Sequence, residues 1–144
     1  MTTVAYRDGV LAADTLVISG SSRAGHMSKL LKTRRGALVG ISGEVEGTTR
    51  FLDWMRSGRR GKPPATDDDS GCRGIVVEPD GSVLFWDGGP ALFPKRGAYF
   101  ALGSGRDVAL GALAMGATAD AAVRAAMQID IYTGGDVETL RLED

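Results

Sequence analysis

The chain has 144 residues, with 17 Lys and Arg against 18 Asp and Glu, a formal net charge of -1, and 43% hydrophobic residues. That is long enough to bury a core without cross-links, and the balanced charge provides no field to hold a nucleic acid or an anionic membrane. One Cys and one His exclude a disulfide framework and a Cys/His zinc site, while 21 glycines point to many tight turns and backbone-lined sites.

Thr2 to Tyr6 and Val10 to Ala13 read as two short strands joined by a hairpin, because Asp8-Gly9 supplies the positive φ of such turns. Ser19 to Ser28 is small and polar and reads as a loop. Lys29 to Lys32 reads as a strand, Arg34-Arg35-Gly36 as a turn, and Ala37 to Ile41 as a buried apolar strand. Thr48 or Thr49 offers an N-cap to a helix that carries Phe51, Leu52, Trp54 and Met55 and stops at Gly58. Arg59 to Ser70 reads as a loop. Arg73 to Glu78 and Ser82 to Trp86 form a second hairpin around Asp80-Gly81, and Tyr99 to Leu102 is a further strand. Gly103-Ser104-Gly105 opens a helix from Arg106 to Met115. A second, Ala-rich helix runs from Thr118 or Ala119 to about Ile131, and Gly134-Gly135 separates it from a last strand, Val137 to Leu142.

Clustered strands predict an α+β fold with mainly antiparallel sheets in a single domain, 1–144. No signal-peptide pattern opens the sequence, and no apolar run nears the roughly 20 residues that cross a bilayer. A cytoplasmic location is expected, with Cys72 a reduced, structural thiol. His26 sits in the Gly- and Ser-rich loop and reads as an exposed or substrate-adjacent residue. Arg34-Arg35 and Arg56 to Lys62 are basic clusters that read as solvated or subunit-contact surface.

The N-terminus offers chemistry that needs no His. Initiator Met is generally removed before a small residue, so loss of Met1 is expected to give Thr2 a free α-amine beside its β-hydroxyl. A Thr hydroxyl needs a base, and an α-amine with a reference pKa of roughly 7.7–8.0 can be that base near neutral pH. Singly, Asp14 also reads as a turn residue, Lys29 as a solvated charge, Gly103-Ser104-Gly105 as a helix start and Thr133-Gly134-Gly135 as a helix stop. Asp130 asks for a reason, since an acid near a helix C-terminus is electrostatically unfavourable.

Taken in order, Thr2-Thr3-Val4, Ala13-Asp14, Lys29, Gly40-Ile41-Ser42-Gly43, Ala101-Leu102-Gly103-Ser104-Gly105 and Asp130-Ile131-Tyr132-Thr133-Gly134-Gly135 resemble the proteasome β-type subunits, and among them the bacterial HslV-like threonine peptidases. The resemblance implies a four-layer αββα sandwich of two mainly antiparallel sheets, the fold of N-terminal-nucleophile hydrolases. It also implies a threonine endopeptidase acting on unfolded polypeptides, in a homo-oligomeric ring that an ATP-dependent unfoldase could feed. The chain itself has no Walker-type loop.

In that reading Thr2 is the nucleophile and its amine the base. Lys29 lies beside the hydroxyl, with Lys32 as a nearby rival, and Asp14 pairs with the lysine. The Gly43 N–H is the oxyanion donor. Ser104 and Asp130 hold the amine and a water, with Thr133 nearby. No cofactor is required; the resemblance implies at most a structural Na⁺ or Mg²⁺ on the backbone carbonyls of Met127, Asp130 and Thr133. The chain departs from the family between Gly43 and the middle hairpin. Family members carry two long helices there; here only the one near Thr48 to Ser57 fits, and Glu44-Val45-Glu46-Gly47 replaces the usual Ala-Asp. An amidase for small amides and a non-catalytic ring scaffold are the alternative functions.

Overall fold

A computed structural model describes residues 2–143; the expected removal of Met1 lies outside the described residues. In chain order the elements are β1 (Thr3–Arg7), β2 (Val10–Asp14), β3 (Leu16–Ser19), β4 (Ser22–His26), β5 (Leu30–Lys32), β6 (Leu38–Ser42), α1 (Val45–Arg56), β7 (Arg73–Val77), β8 (Val83–Trp86), β9 (Leu92–Lys95), β10 (Tyr99–Gly103), α2 (Arg106–Ala114), α3 (Ala119–Ile129) and β11 (Val137–Arg141). A short 3-10 turn spans Asp68–Ser70.

Two antiparallel sheets stack face to face. One has the order β10-β1-β2-β11, the other β5-β6-β7-β8-β9, and β3 and β4 pair separately. The first sheet shows how the sequence dictates the layering. On β1, Val4 and Tyr6 alternate with Thr3 and Ala5, so one face carries large side chains and the other small ones. Val4, Tyr6, Leu11 and Ala13 meet Leu38, Ile75 and Val77 of the second sheet in the central core. On the opposite face Ala5, Ala12 and Ala101 let α2 and α3 pack closely through Ala109, Leu113, Ala122 and Val123. The far side of the second sheet packs on α1 through Val39, Val76, Phe51, Leu52, Met55 and Trp86. Phe51 and Trp86 stack with ring centroids 4.2 Å apart and planes 8° from parallel. The result is an αββα sandwich with two helices on one face and, among the described residues, one α-helix on the other.

Four expectations are corrected. Ser19 to Ser28 holds the β3–β4 hairpin, because Gly20 (φ +62°) makes a two-residue turn and backbone pairing holds a strand whose side chains are all exposed. Helix α1 starts at Val45, not near Thr48. Glu44 caps it by accepting the Gly47 N–H at 3.2 Å, and Thr48 instead donates its hydroxyl back to the Glu44 carbonyl at 2.9 Å. Helix α3 stops at Ile129 because Asp130 takes extended dihedrals. Strand β9 was not expected; its Pro94 is tolerated because β9 is an edge strand.

Candidate active site

The site gathers at the start of β1. Asp14 ends β2, beside β1, and its carboxylate is fully buried. Its Oδ1 accepts the Thr3 N–H at 3.1 Å and Lys29 Nζ at 3.0 Å, and its Oδ2 accepts the Gly134 N–H at 3.0 Å. Lys29 is 3% exposed. It is fixed to β6 by the Ile41 N–H, which donates to the Lys29 carbonyl, and it donates a second Nζ bond to the Leu16 carbonyl at 2.8 Å. Burial pushes the Lys29 pKa below 10.5, and the charge and hydrogen bond of Asp14 oppose that fall. Lys32 does not compete for this place: its Nζ donates to the Arg141 carbonyl at 2.8 Å on an exposed edge.

A second network holds Thr2 from the other side. The Thr2 N–H donates to Ser104 Oγ at 3.1 Å, and Ser104 donates to Asp130 Oδ2 at 2.5 Å. Thr133 donates to the same Oδ2 at 2.6 Å, and the Thr3 and Thr133 hydroxyls are bonded at 2.8 Å. With Thr133 committed as donor to Asp130, Thr3 must be the donor in that pair. Partial burial works against ionisation of Asp130. The hydrogen bonds from Ser104, Thr133 and the Tyr132 N–H outweigh it and hold the carboxyl below 3.8. These donors explain the acid at the end of α3, where the helix dipole disfavours it.

Two glycines make the network possible. At Gly103 (φ +100°) a β-carbon would fall 1.9 Å from the Thr2 carbonyl oxygen. At Gly105 it would fall 2.0 Å from Thr3 Oγ1. Gly43 (φ +121°) presses on the Gly71–Cys72 peptide, where a β-carbon would lie 2.6 Å from the Gly71 carbonyl oxygen.

Thr2, Lys29 and Gly43 line one cavity of about 690 Å³, walled by Leu16, Met27 and Val45. A second cavity of about 810 Å³ adjoins it at Ser42 and Gly71 and reaches Ser104. Of the residues singled out in the sequence, Thr2, Asp14, Lys29, Ser104, Asp130 and Thr133 thus join two hydrogen-bonded networks that meet at Thr3, and Gly43 shares the cavity of Thr2 and Lys29. His26 stands apart, exposed on β4, with Nδ1 2.9 Å from Thr15 Oγ1. Cys72 is buried beneath Gly47, as a structural thiol should be. The Asp130 carbonyl accepts the Thr133 N–H at 3.1 Å, which leaves it one lone pair for a cation. No group of three His, Cys, Asp or Glu able to hold a metal occurs among the described residues.

Sequence reasoning missed Thr3. The signal was present: a hydroxyl on the face that Ala5 and Ala12 bury must find a buried partner. The Leu16 carbonyl, a backbone acceptor for Lys29, left no such signal.

No family model matches the chain, and no curated protein matches it. Among solved structures it is similar to Thiobacillus denitrificans BPH, with a TM-score of 0.70 and 19% identity over 98% of this chain and 97% of that one. It is likewise similar to Thiobacillus denitrificans BPH in complex with Epoxomicin, with a TM-score of 0.69 and 18% identity over 98% of each chain. At this identity the likeness shows a shared fold. No helix among the described residues is long and apolar enough to cross a membrane.

Proposed function

We infer that the chain is a threonine-type endopeptidase in which Thr2, freed of Met1, is the nucleophile. The observation that carries this reading is that the Ser104–Asp130 relay takes the Thr2 N–H while the buried Lys29–Asp14 pair holds the neighbouring Thr3, with Thr2, Lys29 and Gly43 lining one cavity. The fold shared with a protein solved in complex with epoxomicin, a proteasome inhibitor, supports the reading.

The Thr2 amine takes the hydroxyl proton, and Oγ attacks the carbonyl carbon of a peptide bond. The Gly43 N–H donates to the resulting oxyanion, a contact of roughly 3 kcal/mol in the transition state. Cationic Lys29 stabilises the alkoxide and disfavours a second proton on the amine, while Asp14 keeps the lysine charged and oriented. Collapse expels the leaving amine, which takes the proton from the Thr2 ammonium. Water, deprotonated by the amine that is again neutral, then hydrolyses the ester. Ser104 orients the amine throughout: its own proton is committed to Asp130, so its lone pair faces the Thr2 N–H.

No cofactor enters this chemistry. A Na⁺ or Mg²⁺ on the carbonyls of Met127, Asp130 and Thr133 would brace the turn that carries Asp130. We further propose that the chain acts as one domain on unfolded polypeptides, in the cytoplasm, within a homo-oligomeric ring served by an ATP-dependent unfoldase. The exposed apolar side chains Met115, Ile129, Ile131 and Tyr132 support a contact with further copies.

Intact mass, epoxomicin labelling and hydrolysis of short fluorogenic peptides test the reading together. The expected result is a chain lacking Met1, labelled at Thr2, whose activity disappears in Thr2→Ala. Retention of Met1, or activity unchanged by Thr2→Ala, overturns it. Hydrolysis of simple amides but not peptides favours the amidase, and absence of both favours the scaffold.

A further inference from the structure

The end of the sandwich away from Thr2 holds a second concave site. The β5–β6 turn, the β7–β8 turn and the end of α1 converge there around a cavity of about 430 Å³ lined by Arg34, Arg35, Arg56, Arg59 and Glu78. Strand β6 separates it from Gly43, a span of roughly 20 Å at about 3.3 Å per residue. Two basic clusters distant in the sequence are thus brought together by the fold.

The charges are unequally matched. Glu78, the one carboxylate on this cavity, is already held by both terminal nitrogens of Arg59. Arg59 reaches it from a left-handed backbone (φ +62°) that a residue other than glycine rarely adopts. Arg56 meets Asp53 only in an exposed pair at 3.1 Å, of a kind that contributes little. Among the described residues, neither Arg34 nor Arg35 has a hydrogen-bond or ion-pair partner. The cavity therefore carries three guanidinium charges that no buried or bidentate carboxylate neutralises.

We propose that this cavity binds a soluble condensed phosphate, an anion of the size and charge of inorganic triphosphate. Guanidinium groups match phosphate oxygens in a bidentate fork, and several converging on one concavity favour a compact polyanion over a single carboxylate. A membrane headgroup fits less well: the large exposed apolar residues Val45, Phe93, Met115, Ile129, Ile131 and Tyr132 all lie outside this cavity, so nothing there would enter a lipid surface. The site is independent of the peptidase reading.

Calorimetric titration with inorganic triphosphate, at low and physiological ionic strength, tests the proposal. Saturable binding at one site is expected, weakened at least about tenfold by the double variant Arg34→Gln, Arg35→Gln. Arg124→Gln, on the exposed face of α3 across the sandwich, should leave it unchanged. Amide shifts on adding triphosphate should centre on Gly36 and Ser57 to Arg59, a readout that requires no variant to fold. Absence of saturable binding, equal loss in Arg124→Gln, shifts centred elsewhere, citrate binding as tightly, or binding only to anionic vesicles overturns the proposal.

Discussion

Gly103 and Thr2 are in contact so close that no side chain fits between them: a β-carbon on Gly103 would overlap the Thr2 carbonyl oxygen at 1.9 Å. The backbone of β10 therefore serves as a wall of the site, and Ser104 follows immediately to receive the Thr2 N–H.

Gly103→Ala adds that overlap to the strain of a positive φ. A destabilisation of about 3 kcal/mol is expected, with peptide hydrolysis lost because Thr2 must move. Urea unfolding and single-turnover hydrolysis measure the two effects. Unchanged activity would mean that Thr2 is not held against this wall.

Asp14→Asn removes the negative charge from a fully buried group that accepts three hydrogen bonds. The amide that replaces one oxygen opposes either an N–H or the lysine, and Lys29 is left as an uncompensated buried cation. The expected loss is about 4 kcal/mol. Much of it should return in the double variant Asp14→Asn, Lys29→Met, read by thermal unfolding.

Lys29 gives activity and stability opposite trends at alkaline pH. Its folded-state pKa lies below 10.5, so between the two values the unfolded chain binds the extra proton. Stability from this group therefore rises with pH across that window. Hydrolysis should fall over the same window as the ammonium beside Thr2 is lost. Denaturant titrations and kcat/KM measured at the same pH values check this; the stability rise should be absent in Lys29→Met.

Asp130 acts at the other end of the scale. Its pKa is held below 3.8, so its contribution to stability is present above that value and lost as pH falls through the window beneath it. Asp130→Asn should flatten the acid limb of the thermal midpoint. It should also reduce hydrolysis near neutral pH, because the acceptor that fixes the Ser104 proton becomes an uncharged carbonyl oxygen or, with the amide turned, a donor.

Most elements were legible in the sequence because their residues alternate or carry specific turn signals, as Asp8-Gly9 and Asp80-Gly81 do, whereas the stacking of two sheets between helices followed from the family resemblance and not from that pattern. Strand β4 was not, because Ser22 to His26 has no buried face and pairs only through its backbone. The start of α1 was misplaced because Thr48 and Thr49 carry N-cap chemistry, whereas Glu44 performs the capping and Thr48 turns inward. In the site, side chains such as Asp14, Lys29, Ser104 and Asp130 stood out once read in order. Thr3 was passed over, although its place opposite Ala-lined helices required a partner for its hydroxyl.

The pairing of β1 between β2 and β10 orders events during synthesis. The groups that hold Thr2 lie 102 residues and more along the chain, and β11, which borders β2, follows them. Until Ser104 and Asp130 have been made, a growing chain therefore carries Thr2, the proposed nucleophile, without the groups that hold it. Thr2 and these partners come together only once α3 and β11 have been made and the sheet has closed. On the proposed reading, the order in which the strands are made protects the growing polypeptide from its own chemistry until then.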